Sequence, residues 1–129
     1  MGLRVGVDLF RIQRMEQALR RADSIYFSQT FTRLEYETGL ASERPSLWFA
    51  ERLALKEAAF KSLGTAWTEG MSWVQIEALS TAYGAPSVVL SGEMSARAAA
   101  CGVCRLSASV SNDGDYVIAV VTAETDPVS

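Results

Sequence analysis

The chain has 129 residues, 49% of them hydrophobic, enough to bury one core and too few for two. Its 12 basic and 15 acidic side chains give a formal charge of −3, which excludes a general nucleic-acid binder. No apolar run reaches the roughly 18 residues of a membrane span and the first residues lack a signal-peptide pattern, so the expected location is cytoplasmic.

In chain order, Leu3, Val5 and Val7 alternate with Arg4 and Gly6, predicting a short half-buried strand that ends at Asp8. A basic amphipathic helix is expected over residues 12–21, where Arg14, Arg20 and Arg21, with Arg11 just before them, face only Glu16. That patch suits an acidic partner as readily as it suits plain solvation. A second short helix starts near Thr32, where Thr32-Arg-Leu-Glu35 has the form of a capping box. The longest helix follows Pro45 and ends at Gly64. Strands are expected over residues 73–79 and 87–90, then an Ala-rich helix over 93–101. A final pair, 103–110 and 116–122, flanks Asp113-Gly114, a hairpin signal. The expectation is one α+β domain over residues 1–124, a small, mostly antiparallel sheet packed with a long central helix, and a frayed tail over 125–129. Cys101 and Cys104 form a C-x-x-C, but without histidine a four-ligand Cys/His zinc site cannot be completed within one subunit, and both are read as small core residues.

Glu57 stands out in the long helix. A step of about 100° per residue lines up Ala50, Leu53, Glu57, Phe60 and Gly64 on one side. A carboxylate between Leu53 and Phe60 is costly in an apolar setting unless a cation or several donors hold it. Lys61, one turn on, is one candidate, a metal ion is another, and a structural ion pair at a wet helix edge explains the pattern equally well.

Five segments together carry a resemblance. Val5-Gly-Val-Asp8, Phe31-Thr-Arg-Leu-Glu35, Trp48 to Thr65, Trp73 to Glu77 and Ser109 to Ala119 resemble, in order, the motifs of the holo-acyl-carrier-protein synthase type of 4'-phosphopantetheinyl transferase. The segment from Phe49 to Thr65 follows F-A-x-R-x-A-x-K-E-A-x-x-K-x-x-G-T. The resemblance implies a small α+β subunit that forms a homotrimer with active sites between neighbours. It implies transfer of 4'-phosphopantetheine from coenzyme A to a serine of an apo acyl carrier protein, releasing adenosine 3',5'-bisphosphate. Asp8 and Glu57 would hold Mg2+ against the pyrophosphate, and Lys61 would reach the same phosphates. Ser62, Gly64 and Thr65 would let the backbone pass close to them. Arg52, about 140° round the helix from Glu57, would serve the nucleotide end of coenzyme A, across a subunit boundary. Arg14 and Arg21 would dock the acidic carrier.

Two positions depart from the family pattern. Asn112 stands where the family usually has histidine; it can donate a hydrogen bond but carries no charge near neutral pH. Arg11 stands where an acid is common. Neither touches Asp8, Glu57 or Lys61, but together they leave open a weak or inactive relative that only binds carrier or coenzyme A, or that uses the cleft for other chemistry on a carrier-bound substrate.

Overall fold

In the computed structural model, which describes residues 1–126, strand β1 (Gly2–Arg11) runs straight into helix α1 (Ile12–Arg21). Then come α2 (Ser24–Thr30), α3 (Arg33–Leu40), α4 (Pro45–Leu63), a 3-10 turn (Trp73–Gln75), β2 (Ile76–Ser80), β3 (Pro86–Leu90), α5 (Gly92–Ala100), β4 (Val103–Asp113) and β5 (Tyr116–Thr125). The architecture is α+β, as expected, but the strands form two antiparallel sheets, one of order β1-β5-β4 and a β2-β3 hairpin. Helix α2 was not anticipated; its signal is Asp23, whose carboxylate caps the helix by accepting from the Tyr26 N–H at 3.0 Å. The expected tail begins two residues too early, because Thr125 pairs with Gly2 and Asp126 donates to the Gly102 carbonyl. Residues 127–129 lie outside the described residues.

Helix α4 is the spine. Pro45 stands at its start, Gly64 ends it at φ 71°, and Phe49, Ala50, Leu53, Ala54, Leu55, Ala58, Ala59 and Leu63 bury most of its circumference. It lies on the inner face of the three-stranded sheet, against Val117, Ala119, Val121 and Ala123 of β5. Strand β1 comes so close that a Cβ on Gly6 would collide with the Ala58 carbonyl.

This contact reverses the burial expected for β1. Gly6, Asp8 and Phe10 face α4 and are buried, whereas Leu3, Val5, Val7 and Leu9 lie on the outer face and are exposed. The period of two is as the sequence suggests, but its inner set is the one that admits a helix backbone. The strand also continues past Asp8 to Arg11, because β5 supplies ladder partners through Arg11↔Tyr116. Asp8 is therefore a mid-strand residue on the helix-facing side.

On the other flank of α4, Glu35 and Lys56 form an ion pair at 2.8 Å with both side chains fully buried. Thr32 and Glu35 make the anticipated capping box, and the second Glu35 oxygen accepts from the Ala78 N–H at 2.7 Å. Lys56 donates to the carbonyls of Trp73 and Ile76. This network ties α3, α4 and β2 together. Of the two cysteines, Cys101 is half-buried, while Cys104 is exposed where the β4 register shifts, so it is not a core residue.

Candidate active site

The inner face of β1 and the exposed edge of α4 bring the first acid to the second. Lys61 Nζ donates to Asp8 Oδ1 at 3.2 Å and to the Val7 carbonyl at 3.0 Å, which seats the lysine on β1 and not on Glu57 one turn back. Asp8 Oδ2 is buried with no hydrogen-bond donor. Glu57 is half-buried beside it. Burial first, then the hydrogen bond that a proton on Glu57 would make to Asp8 and the charge of Asp8, lift the Glu57 carboxyl to about 7 against the opposing pull of Lys61 and Arg14. Two carboxylates that close cannot both ionise cheaply without a cation between them.

Two hard oxygen groups, one with an orphaned buried oxygen, suit Mg2+, which takes one or two carboxylates and fills its remaining positions with water and phosphate. Among the described residues, no cluster of three or more His, Cys, Asp or Glu could hold a metal by protein ligands alone. That distinction favours a metal completed by a substrate over a structural metal.

Arg14 and Tyr26 also adjoin the acids. The Arg14 guanidinium sits over the Phe10 ring at 5.0 Å, and its charge pulls Glu57 down. Burial first, then the charge of Glu57, push the Tyr26 phenol up. Tyr26 was not anticipated, because it sits on the helix that sequence periodicity missed. Arg14 and Arg21 are both exposed on α1, seven residues apart and so on nearly one face.

The remaining expected residues are dispersed. Arg52 points to the opposite flank, donating to the Leu79 carbonyl at 3.4 Å and to Ser80 Oγ at 3.0 Å while lying over the Trp48 ring at 4.7 Å. Only 7% exposed, it makes no ion pair among the described residues, its Nε has no partner, and burial pulls its pKa down. Ser62 is fully buried and turns its hydroxyl back to the Ala59 carbonyl at 2.7 Å, so it offers the cleft no side-chain donor. Gly64 is covered by the Arg4 side chain, which donates to the Leu63 carbonyl at 2.8 Å. The Thr65 hydroxyl accepts from Arg97 at 3.2 Å. Asn112 is exposed on β4 opposite Val117, a whole strand removed from β1 and thus on the order of 10 Å away. Arg11 pairs with the Tyr116 hydroxyl at 2.8 Å and does not enter the acid pair.

The chain thus sets an acid pair and a lysine at the β1–α4 seam of a helix-cradled α+β sheet. A family model of the 4'-phosphopantetheinyl transferase superfamily matches residues 4–121, and the chain belongs to that family. It is 38% identical over 120 residues to a holo-acyl-carrier-protein synthase of Syntrophotalea carbinolica, covering 93% of this chain and 94% of that protein. Among solved structures, it is similar to the holo-acyl-carrier-protein synthase of Neisseria meningitidis, with a TM-score of 0.84 and 26% identity over 95% of this chain and 98% of that one. An ACPS–CoA complex from Chronobacterium ammoniagenes gives a TM-score of 0.83 at 27% identity, over 98% and 100% of the two chains.

Proposed function

We propose that this protein transfers 4'-phosphopantetheine from coenzyme A to a serine hydroxyl of an apo acyl carrier protein. The observation that carries the reading is the seam of Asp8, Glu57 and Lys61, with one buried carboxylate oxygen left without a donor. Asp8 and Glu57 would hold Mg2+, which when bound neutralises charge on the pyrophosphate oxygens. Lys61, already aimed into the seam, binds the same phosphates and offsets charge that develops as the bond to the leaving group stretches. The serine oxygen forms a bond to the phosphorus that carries the pantetheine arm. The bond from that phosphorus to the bridging oxygen breaks, and adenosine 3',5'-bisphosphate leaves with the electron pair. Glu57 of the seam, or a water beside it, takes the serine proton.

The working unit of this reading is a homotrimer. Leu3, Val5, Val7 and Leu9, from 46% to 63% exposed, join Ile118 in a contiguous apolar face on the outer side of the sheet, more than a soluble monomer ordinarily leaves in water. Covering that face with neighbouring copies gives Arg52 and Asn112, both far from their own chain's acid pair, a place beside a neighbour's bound coenzyme A. Arg52 supports this independently, as a buried guanidinium that makes no ion pair among the described residues and keeps one N–H unpartnered has a donor left for an incoming phosphate. Arg14 and Arg21 dock the acidic carrier on α1. No described helix is long and apolar enough to cross a membrane, and the proposed location is the cytoplasm.

The test incubates the protein with coenzyme A, Mg2+ and several apo carrier proteins and reads intact mass together with adenosine 3',5'-bisphosphate release. A pantetheine-sized gain on the carrier serine, lost on chelation and in Glu57→Gln, is expected. No gain on any carrier would leave a family member that binds its ligands without turning them over.

A further inference from the structure

The last turn of α4, which carries Lys61, is held from outside the helix. The Gly64 N–H closes that turn on the Lys61 carbonyl at 3.4 Å, longer than an ordinary N–H to carbonyl bond. Helix ends with weak internal bonds fray. Here two guanidiniums stand on either side of Gly64. Arg4, on the face of β1 that also carries Asp8, donates to the Leu63 carbonyl at 2.8 Å and to the Cys101 carbonyl at 3.4 Å, joining the last residue of α4 to the C-cap of α5. Arg97, on α5, donates to the Thr65 hydroxyl at 3.2 Å. The chain beyond is fastened to the same helix, because Gln75 donates to the Gly70 carbonyl at 2.9 Å and accepts from the Met94 N–H at 3.1 Å. Neither arginine makes an ion pair among the described residues, and Arg97 Nε is buried with no acceptor. Leaving that N–H unpaired costs stability, and the fold carries the cost beside the turn that presents Lys61.

We propose that Arg4 and Arg97 are positioning residues for Lys61, a brace that keeps the last turn of α4 closed and the ammonium in the seam. This rests on the reading of Asp8, Glu57 and Lys61 as the reaction site. Contacts run unbroken from Arg97 to the Thr65 hydroxyl, through Gly64 to the Lys61 carbonyl, and from Lys61 Nζ to Asp8 Oδ1 at 3.2 Å. Lysine has a long flexible stem, so where its Nζ sits depends on where its Cα is held. Fraying of the last turn carries that Cα away from β1, and a displacement of about 1 Å in a group that stabilises developing charge is enough to slow turnover. The C-terminal ends of α4 and α5 favour positive charge, so the brace needs no acid that would compete with Asp8 for Lys61.

A double-substitution cycle separates positioning from plain stabilisation. Arg4→Met and Arg97→Met are each expected to lower kcat/KM for coenzyme A about fivefold when Lys61 is present, and by less than about twofold in Lys61→Ala. The KM for the carrier stays where it was, and Arg97→Lys, which can still donate to Thr65, recovers part of the loss. Amide hydrogen exchange at Lys61, Ser62 and Leu63, measured where every variant is folded, is expected to quicken about tenfold in Arg97→Met while the amides of residues 49–53 keep their rates. Thr65→Val, which removes the acceptor and leaves Arg97 in place, quickens the same amides. Equal losses of turnover with and without Lys61, a loss confined to the melting temperature, or unchanged exchange at the end of α4 overturns the brace. Quickened exchange in a protein that modifies no carrier would keep the brace and remove the transferase reading.

Discussion

Lys61 Nζ bridges Asp8 Oδ1 at 3.2 Å and the Val7 carbonyl at 3.0 Å, so the helix cation is fixed on the strand by the backbone as well as by the acid. An exposed ion pair alone would contribute little to stability, and this lysine side chain is 54% exposed. Its value is in placing one positive charge at the seam before substrate arrives. Lys61→Ala is expected to lower kcat/KM for coenzyme A by about 10²-fold or more while leaving the melting temperature nearly unchanged. Lys61→Arg, whose planar fork cannot reproduce a point charge in the same place, recovers only part. A full-rate Lys61→Ala enzyme would remove the lysine from the chemistry.

The acid pair makes stability depend on pH in a definite direction. An unfolded glutamate ionises near 4.5 and the folded Glu57 at about 7, so between those values the folded chain holds a proton that the unfolded chain has released. Stability of the metal-free protein therefore falls as pH rises through that window. Melting temperatures measured at fixed protein concentration are expected to drop between about pH 5 and pH 8, and Glu57→Gln flattens the slope. Mg2+ binding releases a proton near neutrality and raises the melting temperature more at the alkaline end. A slope of opposite sign, or one that persists in Glu57→Gln, contradicts the paired-acid geometry.

Much of the fold was legible where local chemistry is strong. Pro45 and Gly64 mark α4, the Thr32–Glu35 capping box marks α3, and Asp113-Gly114 marks the β4–β5 turn. Glu57 drew notice because a charged residue on an apolar stripe requires a partner, whereas Asp8 was joined to it only by the family resemblance, and Lys61 turns out to pair with Asp8. What failed was the side of β1 that goes inward. That depends on Gly6 admitting the α4 backbone, a tertiary contact with no local signature. The short helix α2 was missed for a related reason, since seven residues carry too little periodicity to register, and Tyr26 was missed with it. An aromatic cluster joins Phe60 at the end of one helix to Trp67 and Trp73 in and after a loop, a meeting no spacing rule predicts.

The outer face of β1 predicts the assembly. Val5 and Leu9 lie on the same side, four residues apart, with cross-strand neighbours Thr122 and Ile118. Val5→Glu with Leu9→Glu puts like charges into that face and is expected to convert the proposed trimer to monomers in analytical ultracentrifugation, with loss of transferase activity and little loss of helical signal. Dissociation with full activity would show that each chain carries a complete site. No dissociation would move the interface elsewhere.

Arg14 and Arg21 differ in what surrounds them, although both face solvent on α1. Arg14 lies over Phe10 and influences Glu57, while Arg21 is in the helix's last turn. Reversing both charges is expected to raise the KM for an acidic carrier by at least about tenfold at low salt. The difference from the unsubstituted enzyme narrows as the Debye length falls below about 8 Å. Arg21→Glu alone should change KM with kcat preserved, whereas Arg14→Glu should lower kcat as well, because it removes a positive charge beside the acid pair. Identical effects of the two single variants would place both in docking alone.

The Glu35–Lys56 pair separates stability from chemistry on the same helix. Lys56 precedes Glu57 but points to the opposite flank, where burial lowers its pKa and Glu35 opposes that shift. Removing one partner of a fully buried pair leaves the other charge without compensation, so Lys56→Met is expected to cost about 3–5 kcal/mol in denaturant unfolding. Pairing it with Glu35→Leu removes the stranded charge and recovers part of that loss. Recovery stays incomplete, because the N–H groups of Thr32 and Ala78 lose their acceptor and the carbonyls of Trp73 and Ile76 lose their donor. If Lys56→Met were harmless and the double variant no better, the pair would contribute nothing to holding α4 against β2, and the rotation of the helix that aims Glu57 at Asp8 would have to be set by Gly6 and the apolar core alone.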